Sequence, residues 1–229
     1  MREPNVRRGK TPFGSRQMIE LSVINFVFNH LAAWRDDPKR SPETAETKLS
    51  AQLSVYLDSA SRHEGYPFLF QREQPQGERR DVDIVANPDR ELVASGYFDS
   101  PYDEILVFEA KRLPTPDAGR QREYVSGGNA KMSGGIQRFK ACVHGKGHST
   151  AAMIGYIQEY IPSFFYKEIN TWIIELCEHP ADSVPWAKDE LLGDFIEQPD
   201  GTARAVSAHQ RTQAGPITMH HLWVVMQPQ

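Results

Sequence analysis

Two cysteines in 229 residues, Cys142 and Cys177, are too few for a disulfide framework and wrongly spaced for a zinc site, so both are expected as reduced thiols in helical segments. No run approaches the roughly 18–20 apolar residues that a membrane span requires. The N-terminus, with Arg2, Arg7, Arg8 and Lys10, lacks the apolar stretch of a secretory leader, and a cytoplasmic protein is expected. A nucleotide-binding loop is missing as well. Neither Gly127 nor Gly134 precedes a Gly-Lys-Ser/Thr ending, and Gly145-Lys146-Gly147 does not supply one, so nothing supports ATP use. His209, His220 and His221 lack the spacing of a helical metal pair and are expected as structural histidines on strands. Internal repeats and low-complexity tracts are absent.

What is present suffices for one sizeable core: 39% hydrophobic, 10% aromatic and 24% charged residues. A single domain is expected over 1–229, with a basic arm and extra helix (1–40), a core (41–158) and a C-terminal elaboration (159–229). The net charge of −4 hides an asymmetry. Lys111, Arg112, Arg120, Arg122, Lys131, Arg138, Lys140 and Lys146 follow one another against only Asp117 and Glu123, whereas residues 159–200 are acidic. This is either a phosphate-holding face opposite an acidic one or two ordinary solvated faces.

Apolar residues at helical spacing predict a helix over about 16–36, through Ile19, Val23, Val27, Leu31 and Trp34. A second helix is expected from Ser41 as N-cap and Pro42, with Leu49, Leu53 and Leu57 buried. The pattern then turns to short extended runs: Pro67–Glu73 and Arg80–Ala86 as a hairpin about Pro75-Gln76-Gly77, then Ile105–Phe108 as a buried strand. Residues 117–135, with two Gly-Gly pairs, suggest a mobile loop. Ile136–His144 reads as a helix, Thr150–Gln158 as a strand, 163–179 as a helix, and 203–211 with 217–226 as a closing pair of strands.

Strand side chains alternate, so Glu109 and Lys111 project to one side, just after an apolar run where packing calls for Val or Ile. Asp81 and Asp83 likewise share a face of the preceding strand. Unpaired buried charges are costly, and a hard cation would supply the missing partner. Magnesium needs oxygen ligands and keeps several waters, so Asp83, Glu109 and the backbone carbonyl of Ala110 meet its requirements. The Lys111 ammonium would orient or deprotonate the attacking water and offset charge on phosphorus, which is phosphodiester hydrolysis.

The strings Arg79-Arg80-Asp81-Val82-Asp83-Ile84-Val85 and Ile105-Leu106-Val107-Phe108-Glu109-Ala110-Lys111-Arg112 resemble the PD-(D/E)XK, restriction-endonuclease-like nuclease superfamily. The resemblance covers residues 42–158. It implies an α/β fold with an αβββαβ core, a mixed sheet flanked by helices, and here an extra N-terminal helix and C-terminal strands. It favours Asp83 over Asp81 as metal ligand and adds Glu46 on the preceding helix, with Glu43 in reserve. It also implies that Gln137, Arg138 and Lys140 on the next helix, together with Arg112, contact nucleic acid. Mg2+ is the implied cofactor, with Mn2+ as substitute, and DNA is favoured over RNA as substrate, in restriction or antiviral defence. A catalytically silent nucleic-acid-binding or assembly subunit is the alternative, as is a nuclease working as a homodimer or in a larger complex, with the Phe and Trp residues of the first helix as docking face.

Overall fold

The computed structural model describes residues 14–75, 81–128, 132–181 and 183–226, so the basic arm, the hairpin turn at 76–80 with Arg79 and Arg80, and Lys131 lie outside it. Two long helices open the chain, α1 (Arg16–Arg35) and α2 (Glu46–Glu64). The Ser15 side chain caps α1 by accepting from the Met18 N–H at 3.2 Å. The second helix starts later than the Ser41-Pro42 signal predicts, at Glu46, with Ala45 as N-cap and no side-chain cap. Residues 41–45 instead cross the surface as a loop, where the Ser41 carbonyl accepts from Gln52 Nε2 at 3.0 Å. Gly65, at φ 68°, ends α2 in the left-handed conformation that favours glycine.

The strands are β1 (Phe68–Pro75), β2 (Asp81–Pro88), β3 (Leu106–Leu113), β4 (Thr150–Ile157), β5 (Gly193–Glu197), β6 (Thr202–His209) and β7 (Ile217–Val225), in one mixed sheet ordered β1-β2-β3-β4-β7-β6-β5. The middle three, β3, β4 and β7, run parallel, and antiparallel pairs extend the sheet on both sides. β3 and β4 are buried on both faces; β4 is a near-continuous apolar run, as internal parallel strands usually are, whereas β3 is apolar only as far as Phe108 before Glu109, Lys111 and Arg112. Three features were not visible in the hydropathy pattern: the short helix α3 (Arg90–Ala94), capped by Asp89, the edge strand β5, and a 3-10 helix at Ala118–Tyr124 within the expected mobile loop. Tyr124 and Val125 anchor that segment in the core.

The protein is thus an α/β fold with a seven-stranded mixed sheet flanked by helices. On one face α1 and α2 bury Ile19, Val23, Leu31, Trp34, Leu49 and Leu53 against Phe108, Ile154, Tyr156 and Leu222. On the other, α4 (Gly135–Lys140) and α5 (Pro162–Glu178) bury Phe139, Phe165, Ile169 and Ile173 against Val107, Met153, Met219 and Trp223. Phe26, Phe28 and Trp34 of α1 are inside, so the expected docking face of exposed aromatics does not exist. Among the described residues, no helix is long and apolar enough to cross a membrane.

Candidate active site

The ladder between β2 and β3 holds for Ile84↔Phe108, Val85↔Val107 and Ala86↔Leu106, and among the described residues it goes no further. Beyond it the two strands part. The Ala110 N–H, with no strand partner on that side, donates instead to Asp83 Oδ2 at 2.8 Å. Because a strand residue's N–H and C=O leave on the same side, the Ala110 carbonyl faces the same gap. The opening between two hydrogen-bonded strands thus brings together a carboxylate and a main-chain oxygen.

Glu109 and Lys111 share the face of β3 that carries Val107 and Leu113, under α4. Glu109 is 1% exposed and faces three basic side chains, Lys111, Arg138 and His144. Its Oε1 lies 2.9 Å from Lys111 Nζ and 2.6 Å from Arg138 Nη1, and its Oε2 lies 3.2 Å from His144 Nδ1. That last approach lacks hydrogen-bond alignment: Glu109 Oε2 and both ring nitrogens of His144 are buried without a hydrogen bond among the described residues. Lys111 Nζ also reaches Glu46 Oε1 at 3.1 Å, while the Arg112 N–H donates to Glu46 Oε2 at 2.8 Å.

These contacts set the protonation states. Burial opposes the charge of Glu109, but Lys111, His144 and Arg138 overcome it and hold the carboxyl down at about 2. Burial also opposes the Lys111 charge, yet Glu109, Glu46 and Asp83 raise its pKa above the ordinary lysine value. Asp83 goes the other way, up to about 7, because burial and the Glu109 charge outweigh Lys111 and the Ala110 N–H. Two carboxyl groups therefore repel across the gap, a deficit of positive charge at the point where Asp83 meets Ala110.

Of the residues singled out in the sequence, the structure brings Asp83, Glu109, Ala110, Lys111, Glu46 and Arg138 together. Glu46, expected as a metal ligand, has both oxygens engaged, by Lys111 and by the Arg112 main chain. Glu43 points elsewhere, to Lys48, and the side chain of Asp81 lies outside the described residues. Arg112 is half-buried on the opposite face from Lys111, and its buried Nε has no hydrogen-bond partner among the described residues. Gln137 is fully buried and staples the glycine loop: its Oε1 accepts from Gly127 N at 3.0 Å and Gly134 N at 3.3 Å, and its Nε2 donates to Gly128 O at 3.3 Å. Lys140 is a correction. Expected to hold phosphate, it is fully buried and bonded to both oxygens of Glu190 at 2.5 Å. It lies on the inward stripe of α4 with Ile136 and Phe139, where a cation needs an internal partner.

The sequence reading missed His144 and Glu123. No spacing pointed to His144, whose position depends on the turn after α4. Glu123 is buried beside the site, paired with Arg120 at 2.5 Å and with Ser133 at 3.0 Å, and Lys111 helps to lower its pKa, against the effect of burial.

A second buried polar chain runs from α4 into the β6–β7 hairpin, and its ends fix its direction. Trp223 Nε1 can only donate, so the Tyr124 hydroxyl accepts from it at 2.9 Å and donates to His221 Nδ1 at 2.8 Å. His221 then carries its proton on Nε2 and donates to Ser207 Oγ at 2.8 Å, which donates to His209 Nε2 at 2.7 Å. His209 Nδ1 is left facing Glu190 Oε2 at 3.6 Å. Ser207, His209 and Glu190 have the order of a nucleophile, base and orienting acid, but with Ser207 at 4%, His209 at 0% and Glu190 at 2% exposure no substrate can reach them. Burial pushes the pKa of both histidines down.

No family model matches the chain, and no curated protein or solved structure does so either.

Among the described residues, no group of three or more His, Cys, Asp or Glu side chains is arranged to hold a metal ion. What the site offers is smaller: Asp83 and Glu109, with the Ala110 carbonyl beside them. That set suits an ion that fills most of its shell with water; Glu109 Oε2 is left without a hydrogen bond, and the raised pKa of Asp83 calls for added positive charge.

Proposed function

We propose that this chain is a divalent-metal-dependent nuclease that hydrolyses phosphodiester bonds of DNA. The observation that carries the reading is the parting of β2 from β3 at the point where Asp83, Glu109, the Ala110 main chain and Lys111 meet. With the short α3 inserted between β2 and β3 and a 3-10 helix before α4, the order α2-β1-β2-α3-β3-α4-β4 is compatible with the αβββαβ core of restriction-endonuclease-like enzymes, which supports membership of that superfamily. A role in restriction or antiviral defence follows from that resemblance.

Asp83, Glu109 and the Ala110 carbonyl would hold Mg2+, with Mn2+ as substitute. Such an ion would supply Lewis-acid chemistry, polarising a phosphoryl oxygen and lowering the pKa of a bound water. Lys111 is fixed by Glu109 and Glu46 beside this point. Its ammonium would serve as a positioned positive charge for the developing phosphorane and would orient or help deprotonate the attacking water. Arg138, whose side chain is 25% exposed, is a further cation that would contact a phosphate at this site.

One observation favours a second reading, a catalytically silent nucleic-acid-binding subunit: Glu109 is already paired with Lys111 and Arg138. The deciding experiment incubates the protein with plasmid, linear duplex, single-stranded DNA and RNA, with and without Mg2+ or Mn2+, beside Asp83→Asn. Metal-dependent cleavage lost in Asp83→Asn supports the nuclease. Binding of nucleic acid with no cleavage under any condition supports the silent subunit.

A further inference from the structure

Glu109 carries one negative charge and keeps company with two permanent cations and a histidine. A divalent ion on the same carboxylate would add to a crowd of like charges in a poorly solvated place, where Coulomb repulsion is weakly screened. One of these partners must therefore yield, and the three are not equally free to do so. Lys111 is 8% exposed along its side chain and is also held by Glu46. His144 is fully enclosed, edge-on to Phe139 with ring centroids 5.9 Å apart. Only Arg138 has a way out. Its side chain is 25% exposed, and it sits on a helix of six residues. Its one other hydrogen bond shown is from Nε to the Met132 carbonyl at 3.1 Å, a loop oxygen beside the glycine-led start of that helix.

We propose that Arg138 is an internal stand-in for the metal: its guanidinium neutralises Glu109 in the metal-free protein and leaves that carboxylate when a divalent cation binds. The released guanidinium, with its planar fork of donors, then takes a phosphate oxygen of the substrate. Metal loading and phosphate capture are thereby coupled, because the same side chain cannot serve both anions. The coupling rests on the metal-dependent nuclease reading.

The test measures Mn2+ binding to the full-length protein by the loss of the free-ion electron paramagnetic resonance signal, without substrate, in wild type, Arg138→Gln and Arg138→Lys. Removing the competing charge should tighten Mn2+ binding by about tenfold or more in Arg138→Gln, with Arg138→Lys between it and wild type. In a second arm, inorganic phosphate is titrated into the Mn2+-loaded proteins, and Arg138→Gln should bind it about tenfold more weakly. Mn2+ affinity in Arg138→Gln equal to or below that of wild type overturns the stand-in while leaving the metal site intact. Tighter Mn2+ with unchanged phosphate affinity overturns the hand-over. Absence of Mn2+ binding in all three proteins sinks the metal reading and this proposal with it. A purely structural Arg138 would lower thermal stability and leave Mn2+ affinity where it was, which also counts against the proposal.

Discussion

Replacing Lys140 by Met removes a charge and keeps most of the aliphatic length, and the structure makes the cost large. The ammonium is fully buried, shares both oxygens of Glu190 at 2.5 Å, donates to the Gln210 carbonyl at 3.2 Å and lies 4.8 Å from the Trp186 ring centre. Without it Glu190, 2% exposed, keeps the Gln210 N–H at 2.8 Å but has no cation. Breaking one side of a buried pair costs about 3–5 kcal/mol, against roughly 0–1 kcal/mol for a surface pair. At roughly 2–4 °C per kcal/mol for a chain of this size, Tm should fall by about 10 °C. Urea unfolding followed by tryptophan fluorescence gives the free energy. The double variant Lys140→Met with Glu190→Gln should recover part of the loss, since it leaves no unpaired charge. A single variant within about 1 kcal/mol of wild type, binding nucleic acid with a shallower salt dependence, would refute the buried pair and return Lys140 to the surface.

Three other outcomes follow from the same contacts. Stability should fall on acidification below about pH 6.5: His209 and His221 have depressed pKa values when folded, so the unfolded chain alone takes up their protons. Their contribution is whole above the unfolded value and is lost toward the folded ones at up to about 2.7 kcal/mol per pH unit for the two; denaturant melts flat between pH 7 and 5 would contradict it. Lys111→Met should slow single-turnover cleavage by about two to four orders of magnitude, and wild-type rates would reduce Glu109-Ala110-Lys111 to an ion pair. Gly134→Ala places a Cβ 2.3 Å from Ser126 Cα and should cost about 1–3 kcal/mol in thermal melts, whereas Gly147→Ala, with nothing within 4 Å, should be neutral; equal melts would disprove the tight loop.

Local signals carried the sheet and the site strand. The alternation around Glu109 and Lys111 and the apolar run before them depend only on neighbours in sequence, and β3 is found there, extending to Leu113. Contacts across the sequence were a different matter. Lys140 meets Glu190 fifty residues away, and the clue lay unused in the helix period, which puts Lys140 on the stripe of Ile136 and Phe139. The contacts of Glu46 were not legible either, because its oxygens meet a strand 65 and 66 residues on. β5 escaped notice since, half-exposed at the sheet edge, it has no apolar face to announce it.

The seating of β7 between β4 and β6 has a kinetic consequence. The strand beside β4 on its far side comes 60 or more residues later, so the sheet that backs β3 cannot be completed until β7 has arrived. Parallel pairings of such long separation form slowly, and until then one edge of β4 lies open.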